Sequence, residues 1–244
     1  MSVKTHYNTL LAGQYLWMAG GFSAAAGQNR RFFRKQGIVV RKNGCALDLG
    51  AGCGFQSIPL AEAGFTVLAV DFSSGMLDIL RKQAGTLPVK TIQADILEPS
   101  LWDTVSPELV TCMGDTLTHM ADCAAAEKLL RLCAGRLLPG GRLILSFRDY
   151  CHEPEGSRII IPVRRDGHRI FLCRLEYENE RVRVTDILYA RDQGRWDRVA
   201  GTYTKIRLAP ARIIRFLANE GFAVTRPDTG DGMVTIIAEK PLTG

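Results

Sequence analysis

Between residues 44 and 147, short apolar runs alternate with stretches of helical periodicity. The runs fall at 45–49, 65–70, 89–93, 109–113 and 142–147, and the helical patterns at 56–63, 74–83 and 121–138. Strand–helix alternation predicts βαβ units in a parallel sheet. Apolar runs without polar alternation fit strands covered on both faces. The texture changes after residue 150. Residues 159–165, 169–177, 182–191 and 198–208 are β-rich, separated by Asp166-Gly167, Glu178-Asn179-Glu180 and Asp192-Gln193-Gly194. Asp-Gly between β runs is a hairpin signal, so this stretch predicts an antiparallel insertion. A helix over 211–220 follows, with Gly221 as its cap, and strands at 223–226 and 233–238 close the sequence. At the other end, Tyr7, Leu11, Tyr15 and Met18 lie on one helical stripe, which Gly20-Gly21 breaks. A second helix over 23–36 stops at Gly37.

The predicted fold is therefore an α/β, doubly wound, mostly parallel sheet with an antiparallel β insertion after the fifth strand. Three parts are expected: a helical N-terminal lid over 1–40, an α/β domain built from 41–150 and 209–244, and the insertion over 151–208.

Composition changes this picture little. With 46% hydrophobic and 23% charged residues in 244, the sequence is of ordinary globular type and long enough to bury a core without staples. Seven cysteines form no CxxC pair and no zinc spacing, which points to free thiols, no metal site and a reducing, cytoplasmic setting. The apolar stretch 10–27 is interrupted by Gly13, Gln14 and Gly20-Gly21, so neither a signal peptide nor a membrane partner is expected. The net charge of +6 is uneven: residues 1–47 hold seven Lys/Arg and no acid, residues 48–147 are net −4, and 148–215 are net +5. Basic blocks flanking an acidic centre read as solvated faces or as a surface for an anionic partner.

The informative stretch is Ala46-Leu47-Asp48-Leu49-Gly50-Ala51-Gly52-Cys53-Gly54, where the first strand ends. Glycines there allow a tight turn and close approach of a ligand. Asp71 ends the next strand, 23 residues after Asp48, near the roughly 20-residue offset at which a carboxylate takes ribose hydroxyls. The dinucleotide fingerprint is G-x-G-x-x-G; here the third glycine comes early and Phe55 stands in its place. Asp48 is also unfavourable beside a pyrophosphate, but attractive to a sulfonium and an ammonium. The motif thus fits S-adenosylmethionine as cofactor.

On these residues the sequence resembles the class I S-adenosylmethionine-dependent methyltransferases, over about 40–150 and again near 210–240. The resemblance implies a Rossmann-like sheet of seven strands with the last antiparallel. It puts Gly50, Ala51, Gly52 and Gly54 around the methionine half, Asp71 on the ribose, and Asp95 with Ile96 at the adenine. Phe72, Met76 and Met113 complete the expected cofactor wall. The glycines of Leu138-Pro139-Gly140-Gly141 are expected to be structural.

On the acceptor side, Asp115 and His119 follow the fourth strand, and Arg148 follows the fifth. His119 reads as a general base or as a helix-start residue with a local hydrogen bond. Asp115 reads as a substrate contact. Arg148 reads as a carboxylate or phosphate clamp, or as the partner of Asp149 or Asp115. Residues 112–119 and 147–150 are similar to glycine N-methyltransferases, whose pattern has asparagine at Asp115 and histidine at Phe147 and a carboxylate-binding arginine at Arg148. Those departures shift the expected acceptor from glycine to a small amine or amino-acid-like molecule. Tyr7, Tyr15 and Trp17 are candidates for covering the site, by cation–π contact or by plain packing. The expected function is methyl transfer to a small-molecule acceptor. An RNA methyltransferase and an NAD(P)-dependent oxidoreductase stand as alternatives, and the oligomeric state is open.

Overall fold

The computed structural model describes residues 3–153, 158–225, 227–230 and 232–242. Its main sheet is assembled from β1 (Cys45–Leu49), β2 (Thr66–Asp71), β3 (Val89–Gln93), β4 (Leu109–Cys112) and β5 (Arg142–Arg148), joined late in the chain by β10 (Ala223–Val224), β11 (Asp228–Gly230) and β12 (Met233–Glu239). The order is β10-β12-β5-β4-β1-β2-β3, with β11 paired to β12. β1 pairs in parallel with β2 and β4, and so do β2 with β3 and β4 with β5, whereas β12 runs antiparallel to β5. The path has the seven strands expected, and the β11–β12 hairpin adds an eighth. No apolar run announces β11: all three of its residues are exposed. Arg226, within the last-but-one predicted strand, lies outside the described residues.

Strand alternation sorts the core into two layers. Leu47, Leu49, Val110, Cys112, Leu143 and Leu145 face one cluster with α7 (Cys123–Arg136) and α8 (Pro210–Asn219). Ala46, Val67, Ala69, Leu109 and Ile144 face the other, with α3 (Phe22–Lys35), α4 (Ser57–Glu62) and α5 (Ser74–Ala84). The sheet is therefore covered on both sides, as its unbroken apolar runs require. A short helix, α6 (Pro99–Trp102), leads into β4.

The insertion forms a separate four-stranded antiparallel meander: β6 (Arg158–Arg165), β7 (Arg169–Tyr177), β8 (Arg181–Asp192) and β9 (Arg195–Ile206). Gln193 and Gly194 both have positive φ, at 45° and 83°, the signature of a two-residue hairpin turn that matches strand twist.

The N-terminal stripe does not form one helix. It divides into α1 (Val3–His6), a π-helical turn at Tyr7–Leu11 and α2 (Tyr15–Met18). Gly13 sits in the break, where a helix interior would cost about 1 kcal/mol, and the wider turn lets both Leu10 and Leu11 be buried. The stripe residues still pack as one cluster with Phe171 and Leu188 of the insertion. Among the described residues, no helix is long and apolar enough to cross a membrane, and no cluster of His, Cys, Asp or Glu has the arrangement of a metal site.

Candidate active site

Two cavities lie beyond the carboxyl ends of the parallel strands, where open α/β sheets bind ligands. The first, of about 260 Å³, sits over the glycine turn. The second, of about 700 Å³, lies between the insertion and the ends of β4 and β5. Tyr7, Tyr15 and Gly114 line both.

The glycine turn shows why its three glycines differ. A Cβ on Gly50 would come within 2.3 Å of Thr116, and one on Gly54 within 2.8 Å of Leu80. Those two glycines serve packing within the protein. A Cβ on Gly52 would meet nothing, so Gly52 opens onto the cavity. All three have positive φ, which glycine adopts without strain. The backbone N–H groups of Gly50, Ala51, Gly52 and Gly54 are satisfied internally. Those of Gly50 and Ala51 donate to the Val70 carbonyl, that of Gly54 to the Ala51 carbonyl, and that of Gly52 to Asp71 Oδ2 at 2.9 Å. The turn therefore presents no ring of free donors to a phosphate, and among the described residues no Lys or Arg lines this cavity. Its charged wall is Asp71 and Asp95. That wall repels a pyrophosphate and suits a cation. The residues present fit S-adenosylmethionine, which is cationic and free of phosphate.

Of the sequence-predicted residues, Gly50, Ala51, Gly52, Asp71, Phe72, Met76, Asp95, Ile96, Met113 and His119 line the first cavity. Asp115 and Arg148 line the second. Gly54 and Asp48 line neither. Asp48 is 1% exposed and lies beneath the turn, accepting from Ser57 Oγ at 2.5 Å and Thr111 Oγ1 at 2.8 Å. Burial raises its pKa to about 6, against the pull of those two hydroxyls. Its expected contact with the cofactor is corrected to a charge held behind the wall. Asp71 also takes the Ser73 N–H at 2.8 Å. Burial raises its pKa, and the backbone donors partly offset that. Asp95 is exposed at the edge of the cavity and accepts from the Leu97 N–H.

The acceptor-side residues depart further from expectation. Asp115 has φ 77°, in the left-handed region, and is 6% exposed. Its Oδ1 accepts from the Arg148 N–H and Thr118 Oγ1, both at 2.9 Å, and its Oδ2 from Tyr150 OH at 3.2 Å and from Lys205 Nζ. Thr118 Oγ1 also lies 2.8 Å from the Asp115 carbonyl, so its one proton is shared between the two oxygens, and the carboxylate is held chiefly by Lys205, Tyr150 and the Arg148 N–H. Burial would raise its pKa, but the Lys205 charge and hydrogen bond prevail and the net shift is downward. The residue expected to contact substrate stands on the wall of the second cavity as one half of a buried ion pair. His119 donates to or accepts from Tyr7 OH at 3.3 Å and stacks on Tyr203. Burial, reinforced by Lys205, lowers its pKa to about 3, so the ring is neutral and a weak base. The general-base reading is corrected accordingly. Trp17 lines neither cavity and lies against the guanidinium groups of Arg169 and Arg164.

Lys205 was missed from sequence. It sits on β9, two residues from Tyr203, so strand alternation points both to one face, and an inward lysine was the available signal. His6, fully buried, pairs with Asp186 at 2.8 Å. It occupies the space left by Gly201, where a Cβ would lie 2.2 Å from His6 Nδ1. Asn8 accepts from Ser73 Oγ at 2.6 Å. Through these contacts the N-terminal segment is tied both to the insertion and to the cofactor side.

Comparison with known proteins bears on the same region. Residues 46–141 match the family model described as a methyltransferase domain. The chain is 30% identical over 127 residues to glycine N-methyltransferase of Mus musculus, covering 46% of this chain and 43% of that protein. It is 36% identical over 103 residues to cypemycin N-terminal methyltransferase of Streptomyces sp, covering 42% of this chain and 41% of that one. The chain thus spans less than half the length of these curated relatives. A solved S-adenosylmethionine-dependent methyltransferase from Clostridium acetobutylicum superimposes with a TM-score of 0.73 at 16% identity, covering 89% of this chain and 91% of that one.

Proposed function

We propose methyl transfer from S-adenosylmethionine to a small-molecule amine, a reading that the match of residues 46–141 to a methyltransferase domain supports. The carrying observation is the first cavity: a turn whose three glycine N–H groups are spent internally, facing Asp71 and Asp95 with no Lys or Arg among its described lining residues. When bound, the cofactor supplies an electrophilic methyl on a positively charged sulfur. The chain's own work is to align and to exclude water. Tyr7, Tyr15 and Gly114 stand where the two cavities meet, so an acceptor in the second cavity would approach past them.

The amine follows from the proton chemistry of that junction. Burial lowers the His119 pKa to about 3, the Asp115 carboxylate is ion-paired with Lys205, and burial raises the Tyr7 and Tyr15 hydroxyls. None of these can remove a proton near neutral pH. A neutral amine needs no base to attack, whereas a hydroxyl does. Arg148 lines the second cavity, and Arg148→Ala separates amino-acid-like amines from plain ones: a rise in KM is expected only for acceptors with a carboxylate. Arg158, Arg169, Arg174, Arg183 and Arg207 of the insertion sit in ion pairs with acids of 149–208, which reduces the free positive charge it offers and favours a small acceptor over nucleic acid.

Calorimetric titration with S-adenosylmethionine, adenosylhomocysteine and NADPH tests the reading. Saturable binding of the first two alone is expected; binding of NADPH alone would overturn it.

A further inference from the structure

Resting on that reading, the structure assigns a narrower acceptor class: an amine whose body is largely apolar and far larger than glycine. The second cavity, at about 700 Å³, is within the range of sites for drug-sized ligands, roughly 300–1,000 Å³. At ~30 Å³ per water-sized group, it has room for about twenty. Phe171 and Leu175 of β7 and Val184 of β8 form part of its wall, with Ile159, Ile161 and Val163 of β6 alongside. Phe171 and Val184 are 1% exposed, whereas Ile161 and Val163 are 38% and 40% exposed, so the apolar surface runs from a closed interior to an open edge.

The acids on this wall each have a hydrogen-bonding partner, and Arg148 stands beside them. Asp115 is paired with Lys205, Asp186 with His6, and Asp149 with His152. A compensated pair offers a charged ligand little net attraction. Apolar area is what the cavity has to give, and it rewards an apolar ligand by about 0.8 kcal/mol per buried methylene, or roughly a fourfold gain in affinity. A bare amino acid without a side chain would leave Ile161 and Val163 facing water.

The probe is a series of primary n-alkylamines from ethylamine to hexylamine, with glycine as the reference, titrated with and without saturating adenosylhomocysteine. Affinity is expected to rise roughly fourfold per methylene over the first members of the series, with glycine weakest. Ile161→Asp, at an exposed position, is expected to reduce that slope while leaving the adenosylhomocysteine Kd unchanged. A flat series, an unchanged slope in the variant, or glycine as the tightest ligand would each overturn the acceptor class. Adenosylhomocysteine is titrated alone in the same samples, so a failed cofactor site is recognised separately, and the tail dependence is read by binding whether or not turnover occurs.

Discussion

The two cavities share three wall residues but handle charge in opposite ways. On the cofactor side, Asp48, Asp71 and Asp95 have no cationic partner among the described residues; they are held by hydroxyls and backbone N–H groups alone. On the acceptor side, each buried acid has a partner, Lys205 for Asp115 and His6 for Asp186. An unpaired buried carboxylate costs folding energy, a cost that a cationic ligand in the first cavity would repay. The first cavity is built to take a charge, the second to take a shape.

The comparison breaks most visibly at Lys205. Lys205→Met leaves Asp115 buried and uncompensated, which should cost about 3–5 kcal/mol. Thermal unfolding should show a Tm lower by roughly 10 °C. The Asp115→Asn/Lys205→Met pair should recover much of the loss in a double-mutant cycle. A neutral single variant would mean that the pair does not hold the acceptor side together. Next in size, Asp71→Asn should weaken adenosylhomocysteine binding about 100-fold, or ~2.7 kcal/mol. An amide must turn its NH₂ toward the Gly52 or the Ser73 N–H, so one of the two contacts is lost. Calorimetry reads this directly, and a change below threefold would remove Asp71 from the account.

Asp48→Asn sharpens the same contrast through pH. The folded pKa of about 6 lies above the unfolded value of ~3.9. The folded protein therefore binds more protons, and ionised Asp48 costs stability above pH 6 but not below pH 4. The variant should be more stable than the parent by about 1–3 kcal/mol at pH 7, an advantage that shrinks to nothing near pH 4, while binding the cofactor less well. Smaller still, Gly52→Ala meets no protein atom but keeps φ 53°. It should lower Tm by a few degrees, with a left-handed penalty of ~1–2 kcal/mol, and weaken adenosylhomocysteine about tenfold. Gly54→Ala, crowded by Leu80, should act mainly on stability. The smallest effect is expected at His119: with its pKa near 3, the kcat/KM profile should show no His119 limb between pH 5 and 9.

The same contrast explains what was legible in the sequence. Apart from Val3, Tyr7 and Tyr15, the cofactor side is drawn from one stretch, roughly 48–121, in which the turn, strand ends and glycines carry local signals; its strands fall within a residue or two of the apolar runs. The acceptor side is joined by contacts between His6 and Asp186, Tyr7 and His119, and Asp115 and Lys205, which are 180, 112 and 90 residues apart. No periodicity records such pairings. Asp115 reads as a free acid until β9 supplies its lysine, and His119 reads as a titrating base until burial against Tyr7 and Tyr203 is known. The division of the N-terminal stripe was equally hidden, because its residues keep helical spacing while the backbone changes from α to π and breaks at Gly13.

The central claim is that an acid-lined glycine turn seats a cationic nucleoside, and its most direct test is a crystal structure with S-adenosylmethionine soaked in. The account predicts density over Gly52, with the ribose hydroxyls at hydrogen-bonding distance from Asp71 and the adenine beside Asp95 and Ile96. Density confined to any other surface, or a ligand whose ribose lies away from Asp71, would contradict it.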